Sequence, residues 1–384
     1  MLLLSLLPIS LPLHTQKPRT LSCKATLNLI TDSDSFQVGR LLGSYGFINI
    51  TSYSGLQSSS DSGQFKIQDV GEGSVKISLL SGFTKAESSR VYPGQRAGGT
   101  EADMMAANEL NSHAFLQSSP KGISQNLLML IGGFETTTGE QWLAFRNDGI
   151  YSAADYAKVS SEKLSKSRSL GVGMSWNYFE QEEIVRRKRF FVIKLLQGAM
   201  LGLAFMHEHE RLHQSLGPSS VVLNTITERD AAYLVPRLRD LAFSVDIRYS
   251  YLEEGRGMLS EQLWRRAAAA GAITPFEKRA FAIADDIYEA GLLLAYLAFV
   301  PFCESGIIDS LSLQRLLENT FKLDIEATRE YCLADDRLLE AVKFLDLGDG
   351  AGWELLQAML NPDYRKRPIA EAVAKHRFMT GAVL

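Results

Sequence analysis

The chain has 384 residues, 40 Lys+Arg against 44 Asp+Glu, a formal net charge of -4, 46% hydrophobic residues and 22% charged residues. This balance excludes a largely disordered chain, a collagen-like chain and a coiled coil, and it supplies no global pull toward nucleic acid or acidic membranes. Three cysteines, Cys23, Cys303 and Cys332, are too few for a disulfide framework or a paired zinc site.

The first feature in chain order is an acid-free leader. No Asp or Glu precedes Asp32, while residues 1–31 carry Lys17, Arg19 and Lys24 and hydroxyls at Ser5, Ser10, Thr15, Thr20, Ser22, Thr26 and Thr31. That is the composition of an organelle transit peptide, here of plastid (chloroplast) type. The apolar start from Leu2 to Leu13 leaves a secretory signal as the alternative, although no cation precedes it and Pro8 and Pro12 interrupt it. An untargeted tail is the third reading. Residues 32–63 read as an N-terminal extension and linker, Ser/Gly-rich from Ser52 to Gly63.

Residues 64–149 read as a small sheet with one helix. Phe65–Val70 and Val75–Leu79 alternate as strands around a turn at Gly71-Glu72-Gly73, and Arg90-Val91-Tyr92 closes a third strand. Thr100-Glu101-Ala102-Asp103 fits a capping box opening a helix to Leu116. Leu127–Ile131 and Gln141–Phe145 are two further strands. Residues 150–384 turn mainly helical, with helices predicted over 151–166, 182–208, 281–300, 309–320, 335–344, 351–360 and 368–376. The apolar runs Gly198–Met206 and Ala290–Phe302 are too short to span a bilayer and read as buried helices, so no transmembrane segment is expected. The fold class is α+β on a two-lobed plan.

Gly71 and Gly73 let backbone N–H groups approach a phosphate, but by themselves they suit a plain hairpin turn better. Further motifs follow in order. Arg90 precedes Glu109 by 19 residues. His213-Gln214-Ser215 leads to Ser220, then come Arg239-Asp240-Leu241-Ala242, Thr274-Pro275-Phe276-Glu277, Asp286 and Arg367. In this order and spacing, residues 64 to 380 resemble the eukaryotic-like protein kinase superfamily.

The resemblance implies a two-lobed protein kinase-like fold: a small five-stranded N-lobe with one helix, and a larger, mainly helical C-lobe. It sets Gly71 and Gly73 in the phosphate-covering loop, with Lys76 where a third glycine belongs. It sets Arg90 at the phosphate-touching lysine of the third strand, Glu109 at that lysine's partner, and Trp142 to Asn147 at the strand and hinge that grip adenine. His213 is the structural histidine of H-R-D, Gln214 stands for its arginine, and Ser215 stands for the catalytic aspartate. Ser220 stands for the metal-binding asparagine and Asp240 for the aspartate of D-F-G. Thr274 to Glu277 resembles the A-P-E end of the activation segment, with Arg367 as the partner of Glu277. An earlier glycine-containing stretch, Leu42 to Ile48, lies too far before Arg90 to be the phosphate loop and reads as part of the extension.

Phosphoryl transfer needs a carboxylate to take the substrate hydroxyl's proton, and Ser215 supplies none. Gln214 removes the arginine that receives an activation-loop phosphate, leaving Ser250, Tyr251 or Thr274 without that partner. The implied function is a catalytically impaired kinase-like protein, a pseudokinase that acts by binding protein partners. Weakly held ATP, and Mg²⁺ at Asp240, remain open as cofactors. The alternative is an unconventional Ser/Thr protein kinase in which Lys76 takes the phosphate contact, as in the with-no-lysine kinases, with Asp148, Glu228 or Asp230 as base. Lys76 facing solvent from a strand is the plainer reading. A third reading is a structural subunit whose cleft its own side chains fill.

The remaining polar features have simpler readings. His207 and His209 are expected to be solvated or helix-end histidines, and His113 to be packed in the core. Glu182 and Glu183 stand one turn before Arg186 and Arg187, which makes Arg186-Arg187-Lys188-Arg189 a solvated face. Cys303 and Cys332 read as small packing residues.

Overall fold

The protein is described from a computed structural model, for residues 29–31, 36–49, 68–82, 91–97, 100–120, 122–135, 141–169, 178–249 and 260–382. It is an α+β protein. Five antiparallel strands, β1 (Phe36–Asn49), β2 (Gln68–Gly82), β3 (Val91–Ala97), β4 (Leu130–Glu135) and β5 (Gln141–Phe145), form one sheet in the order β1-β2-β3-β5-β4. Helix α1 (Thr100–Gln117) connects β3 to β4.

The glycine turn expected at Gly71-Glu72-Gly73 is not a turn. The three residues lie inside β2, between the cross-strand pairs Ile48↔Asp69 and Gly46↔Ser74. Phe47 alone on β1 therefore stands against Val70 to Gly73 on β2. The extra residues bulge from the ladder, and glycine suits a bulge for the same conformational reason that it suits a turn. The Leu42–Ile48 stretch is part of β1, so the sheet takes its first strand from the 32–63 segment read above as an extension.

The remainder is mainly helical. In chain order come β6 (Tyr151–Ser152), α2 (Ala153–Ser169), α3 (Tyr178–Glu208), β7 (Arg211–Leu212), β8 (Val221–Leu223), β9 (Arg237–Leu238) and β10 (Val245–Asp246). Then follow α4 (Glu261–Ala269), α5 (Pro275–Phe299), α6 (Ser310–Arg315), α7 (Ile325–Leu333), α8 (Leu339–Leu345), α9 (Leu347–Met359) and α10 (Ala370–Lys375).

Helices α3 and α5 are the centre of the core. On α3, Phe191, Val192, Leu195, Leu196, Ala199, Met200, Leu203 and Met206 are buried at helical spacing. On α5, Ile287, Leu293, Leu294, Leu297 and Phe299 join the same cluster. Each Val, Leu, Ile, Phe or Met among them contributes about 1.5–3 kcal/mol on burial. The α3 window Glu182–Glu208 is long and apolar enough to cross a membrane by composition, but 61% of it is buried inside the fold, as in a core helix. Helix α5 starts at Pro275, before the expected 281, because a complete cap precedes it. The Thr274 hydroxyl accepts from Glu277 N at 3.2 Å, Glu277 accepts from Thr274 N at 3.0 Å, and Pro275 occupies the first turn.

The basic run on α3 is only partly a solvated face. Arg187 pairs with Glu183 as expected at 2.9 Å, but Arg186 reaches Glu183 rather than Glu182. Lys188 is buried, its Nζ donates to Pro301 O at 3.0 Å, and it lies over the Phe302 ring. Burial drives its pKa down. The Ser160 and Ser161 hydroxyls donate to Pro301 O and Cys303 O, so α2 and α3 grip the same stretch of chain. Cys303 and Cys332 are buried, as expected of packing residues, and neither is in a disulfide among the described residues.

Candidate functional site

Two short ladders set the site. Strand β7 pairs with β10 through Leu212↔Val245, and β8 pairs with β9 through Val221↔Leu238. The loop after β7, residues 213–220, and the loop after β9, residues 239–244, therefore leave the ladders side by side. Helix α1 closes over them from the sheet. Asn108 Nδ2 donates to Ala242 O at 2.7 Å and to Ser244 O at 2.9 Å.

Beneath the loops lies Asp286 of α5, fully buried. It accepts four hydrogen bonds: from His207 Nε2 at 2.8 Å, His213 N at 2.8 Å, Gln214 N at 2.9 Å and Gln214 Nε2 at 2.9 Å. Burial opposes its ionisation most strongly. The His207 and His213 contacts outweigh that and hold its pKa below the ordinary carboxylate value. Gln214 sits at φ 60, a left-handed backbone that these bonds hold in place. The expectation that His207 is solvated is corrected here, because it is a buried donor to Asp286. His209 is engaged as well: Nδ1 donates to Phe205 O at 2.7 Å and Nε2 meets Ser119 Oγ at 2.7 Å.

His213 Nε2 donates to Arg239 O at 3.0 Å, which leaves Nδ1 as the acceptor for Ser215 N at 3.3 Å. Burial lowers the His213 pKa against the pull of Asp286. Ser215 Oγ donates to Asp240 O at 3.1 Å. Ser220 Oγ donates to Gly217 O at 2.8 Å and accepts from Gly217 N at 2.9 Å, a closed ring within one turn.

Asp240 has a left-handed backbone, φ 64 and ψ 53. Its carboxylate lies 3.3 Å from Arg239 Nε. Burial pushes its pKa up to about 6, with Arg239 pulling down and Glu109 pushing up. Glu109 and His113 are buried on α1 with Glu109 Oε1 and His113 Nε2 3.7 Å apart, and neither atom has a hydrogen-bond partner among the described residues. His113 packs edge-on against Phe145, as a core histidine does.

The structure thus brings together His213, Ser215, Ser220, Asp240, Glu109 and Asp286 from four separate stretches of chain. Gly71, Gly73 and Lys76 are defined in backbone only, on β2, with Lys76 opposite Ser44 and Arg96. Arg90 lies outside the described residues. The carboxylates named as substitute bases are engaged or remote. Asp148 pairs with Arg146 at 2.8 Å and Arg237 at 3.3 Å, Glu228 accepts from Tyr156 Oη at 3.1 Å, and Asp230 is exposed on the surface.

The expected pair of Glu277 with Arg367 does not form. Glu277 is spent on the α5 cap, while Arg367 donates to Asn361 O and Ala284 O and stacks over Tyr288. A cation from α4 serves α5 instead: Arg266 grips buried Asp285 at 2.6 and 2.8 Å. Glu289, one turn further on, accepts from Leu216 N at 3.0 Å. Burial, with Asp285 and Asp286 adding to it, pushes its pKa up. Sequence reasoning missed Arg266, Asp285, Glu289, Asn108 and Arg239. The one available signal was the run Asp285-Asp286-Ile287-Tyr288-Glu289 in an otherwise apolar helix.

No protein-family model matches the chain, and no curated protein matches it.

Proposed function

We propose that this is a protein kinase-like protein that has lost phosphoryl transfer and acts as a pseudokinase, by binding protein partners. The observation that carries the reading is Ser215. In the kinase resemblance it stands for the catalytic aspartate, and its hydroxyl donates to Asp240 O at 3.1 Å with His213 Nδ1 3.4 Å away. A neutral hydroxyl in that bond cannot accept a substrate proton. The convergence of His213, Asp240, Glu109 and Asp286, and a sheet ordered β1-β2-β3-β5-β4 with a helix after β3, support the kinase-like half of the reading. The hydrogen-bonded loops then serve as a rigid base for presenting a binding surface.

The test is radiolabelled transfer from ATP to the chain itself and to generic substrates, for the native chain and Asp240→Ala. The expected result is no incorporation above that variant. Incorporation that Asp240→Ala abolishes overturns the proposal. Weak ATP binding is a separate part of it, read by thermal shift at millimolar nucleotide. The plastid address of residues 1–31 is tested with a fluorescent fusion of residues 1–35, and export from the cell refutes it.

A further inference from the structure

In the kinase resemblance Asp240 is the carboxylate that holds magnesium. The geometry points to a different partner: we infer that Arg239 is the resident cation of this cleft, that the cleft takes no divalent cation, and that any nucleotide entering it binds as the metal-free anion. This rests on the pseudokinase reading only in taking loops 213–220 and 239–241 as the kinase-like cleft.

Arg239 is held by both its backbone and its side chain. Its N–H donates to Ser220 O at 2.9 Å, and its Nε donates to Ser219 O at 3.0 Å while lying 3.3 Å from Asp240 Oδ2. The guanidinium stays charged at every physiological pH, so the Asp240 carboxylate has a permanent counter-ion built into its own chain. A divalent cation on Asp240 would have to displace that guanidinium or sit beside it against like-charge repulsion.

The second donor is a weak one. Magnesium takes near-octahedral oxygen donors, commonly one or two carboxylates with waters and substrate phosphates filling the rest. Ser220 uses its proton on Gly217 O and one lone pair on Gly217 N, so its hydroxyl keeps a single lone pair and is held within the 217–220 turn. Ser215 is committed to the Asp240 carbonyl. With its one carboxylate already faced by Arg239 and no Asp, Glu or Asn in loop 213–220, the donor set is a poor fit for the ion.

The full chain is tested by thermal unfolding with Mg²⁺ or Mn²⁺ up to about 10 mM, where mass action exposes even millimolar binding. Water-proton relaxation with Mn²⁺ alone is read in parallel. The expected result is no cation-dependent shift, no relaxation enhancement, and an ATP shift no larger with Mg²⁺ than with EDTA. The double variant Arg239→Met, Ser220→Asn, checked for folding by circular dichroism, is expected to gain both cation signals. A cation-dependent shift in the native chain that Asp240→Asn abolishes overturns the inference, as does a folded double variant that gains nothing. A cation signal without phosphate transfer overturns this inference alone and leaves the pseudokinase reading standing.

Discussion

Removing the acceptor at Asp286 has a magnitude that follows from its contacts. The buried carboxylate takes four hydrogen bonds, from His207, from the backbone N–H groups of His213 and Gln214, and from the Gln214 side chain. Each buried donor left without a partner costs about 1–3 kcal/mol, and breaking a buried charged pair from one side costs about 3–5 kcal/mol. The donors relax together, so Asp286→Ala is expected to lose about 4–5 kcal/mol rather than the full sum. Asp286→Asn keeps one acceptor oxygen but turns an NH₂ toward donors, and is expected to lose about 2–3 kcal/mol. Domain stabilities are about 5–15 kcal/mol, so the asparagine variant folds and gives a graded reading. Urea unfolding followed by tryptophan fluorescence measures the shift in midpoint at constant slope. The pH dependence carries the same signature. The folded-state pKa of Asp286 is depressed, so its contribution is complete above the unfolded carboxylate value of about 4 and is lost as pH falls through the folded value. The asparagine variant should lack that acid limb. A loss below about 1 kcal/mol in both variants would refute the account of Asp286 as the hub of the two loops.

Asp240→Asn is expected to stabilise the protein at pH 7.5. Its carboxyl is raised to about 6, so the folded state holds the proton better between the unfolded value and 6, and native stability falls across that window as pH rises. The linkage ceiling is about 3 kcal/mol, which solvent at a side chain 31% exposed reduces to about 1 kcal/mol. Asparagine also tolerates the left-handed backbone there. Lys188→Met is expected to change stability by less than about 1.5 kcal/mol near neutrality, because an apolar chain of similar length replaces a buried cation. The lowered pKa of Lys188 makes native stability rise with pH from its folded value toward 10, and the methionine variant should lack that rise in alkaline melts. Thr274→Ala is expected to cost about 1 kcal/mol by removing the α5 cap. A Glu277→Ala, Arg367→Ala double-mutant cycle should give a coupling near zero, and a clear coupling would restore the expected ion pair.

Much of the secondary structure was legible in the sequence. Strand β5 falls at Gln141–Phe145 as the alternation indicates, and α1 starts at Thr100 where the capping box stands. The reading failed where one local pattern serves two structures. Gly71-Glu72-Gly73 between alternating runs fits a turn or a bulge, and pairing with β1 selected the bulge. Thr274-Pro275-Phe276-Glu277 resembles a family motif, yet the same residues are a complete helix cap. The site was legible as an ordered set of residues, but its partners were not. His207 seemed a solvated helix end because nothing nearby in sequence marks the carboxylate that receives it.

The sequence by itself determined the α+β class, the apolar runs of α3 and α5 and the start of α1, because propensity, periodicity and capping act within a few residues. The tertiary structure alone decided which polar groups are buried together. Asp286 meets His213 across 73 residues and His207 across 79, and Lys188 finds Pro301 across 113. A polar group enters the interior only where packing brings it a partner. That partner is chosen by how α2, α3 and α5 stack and how the short ladders aim their loops, which no local pattern records.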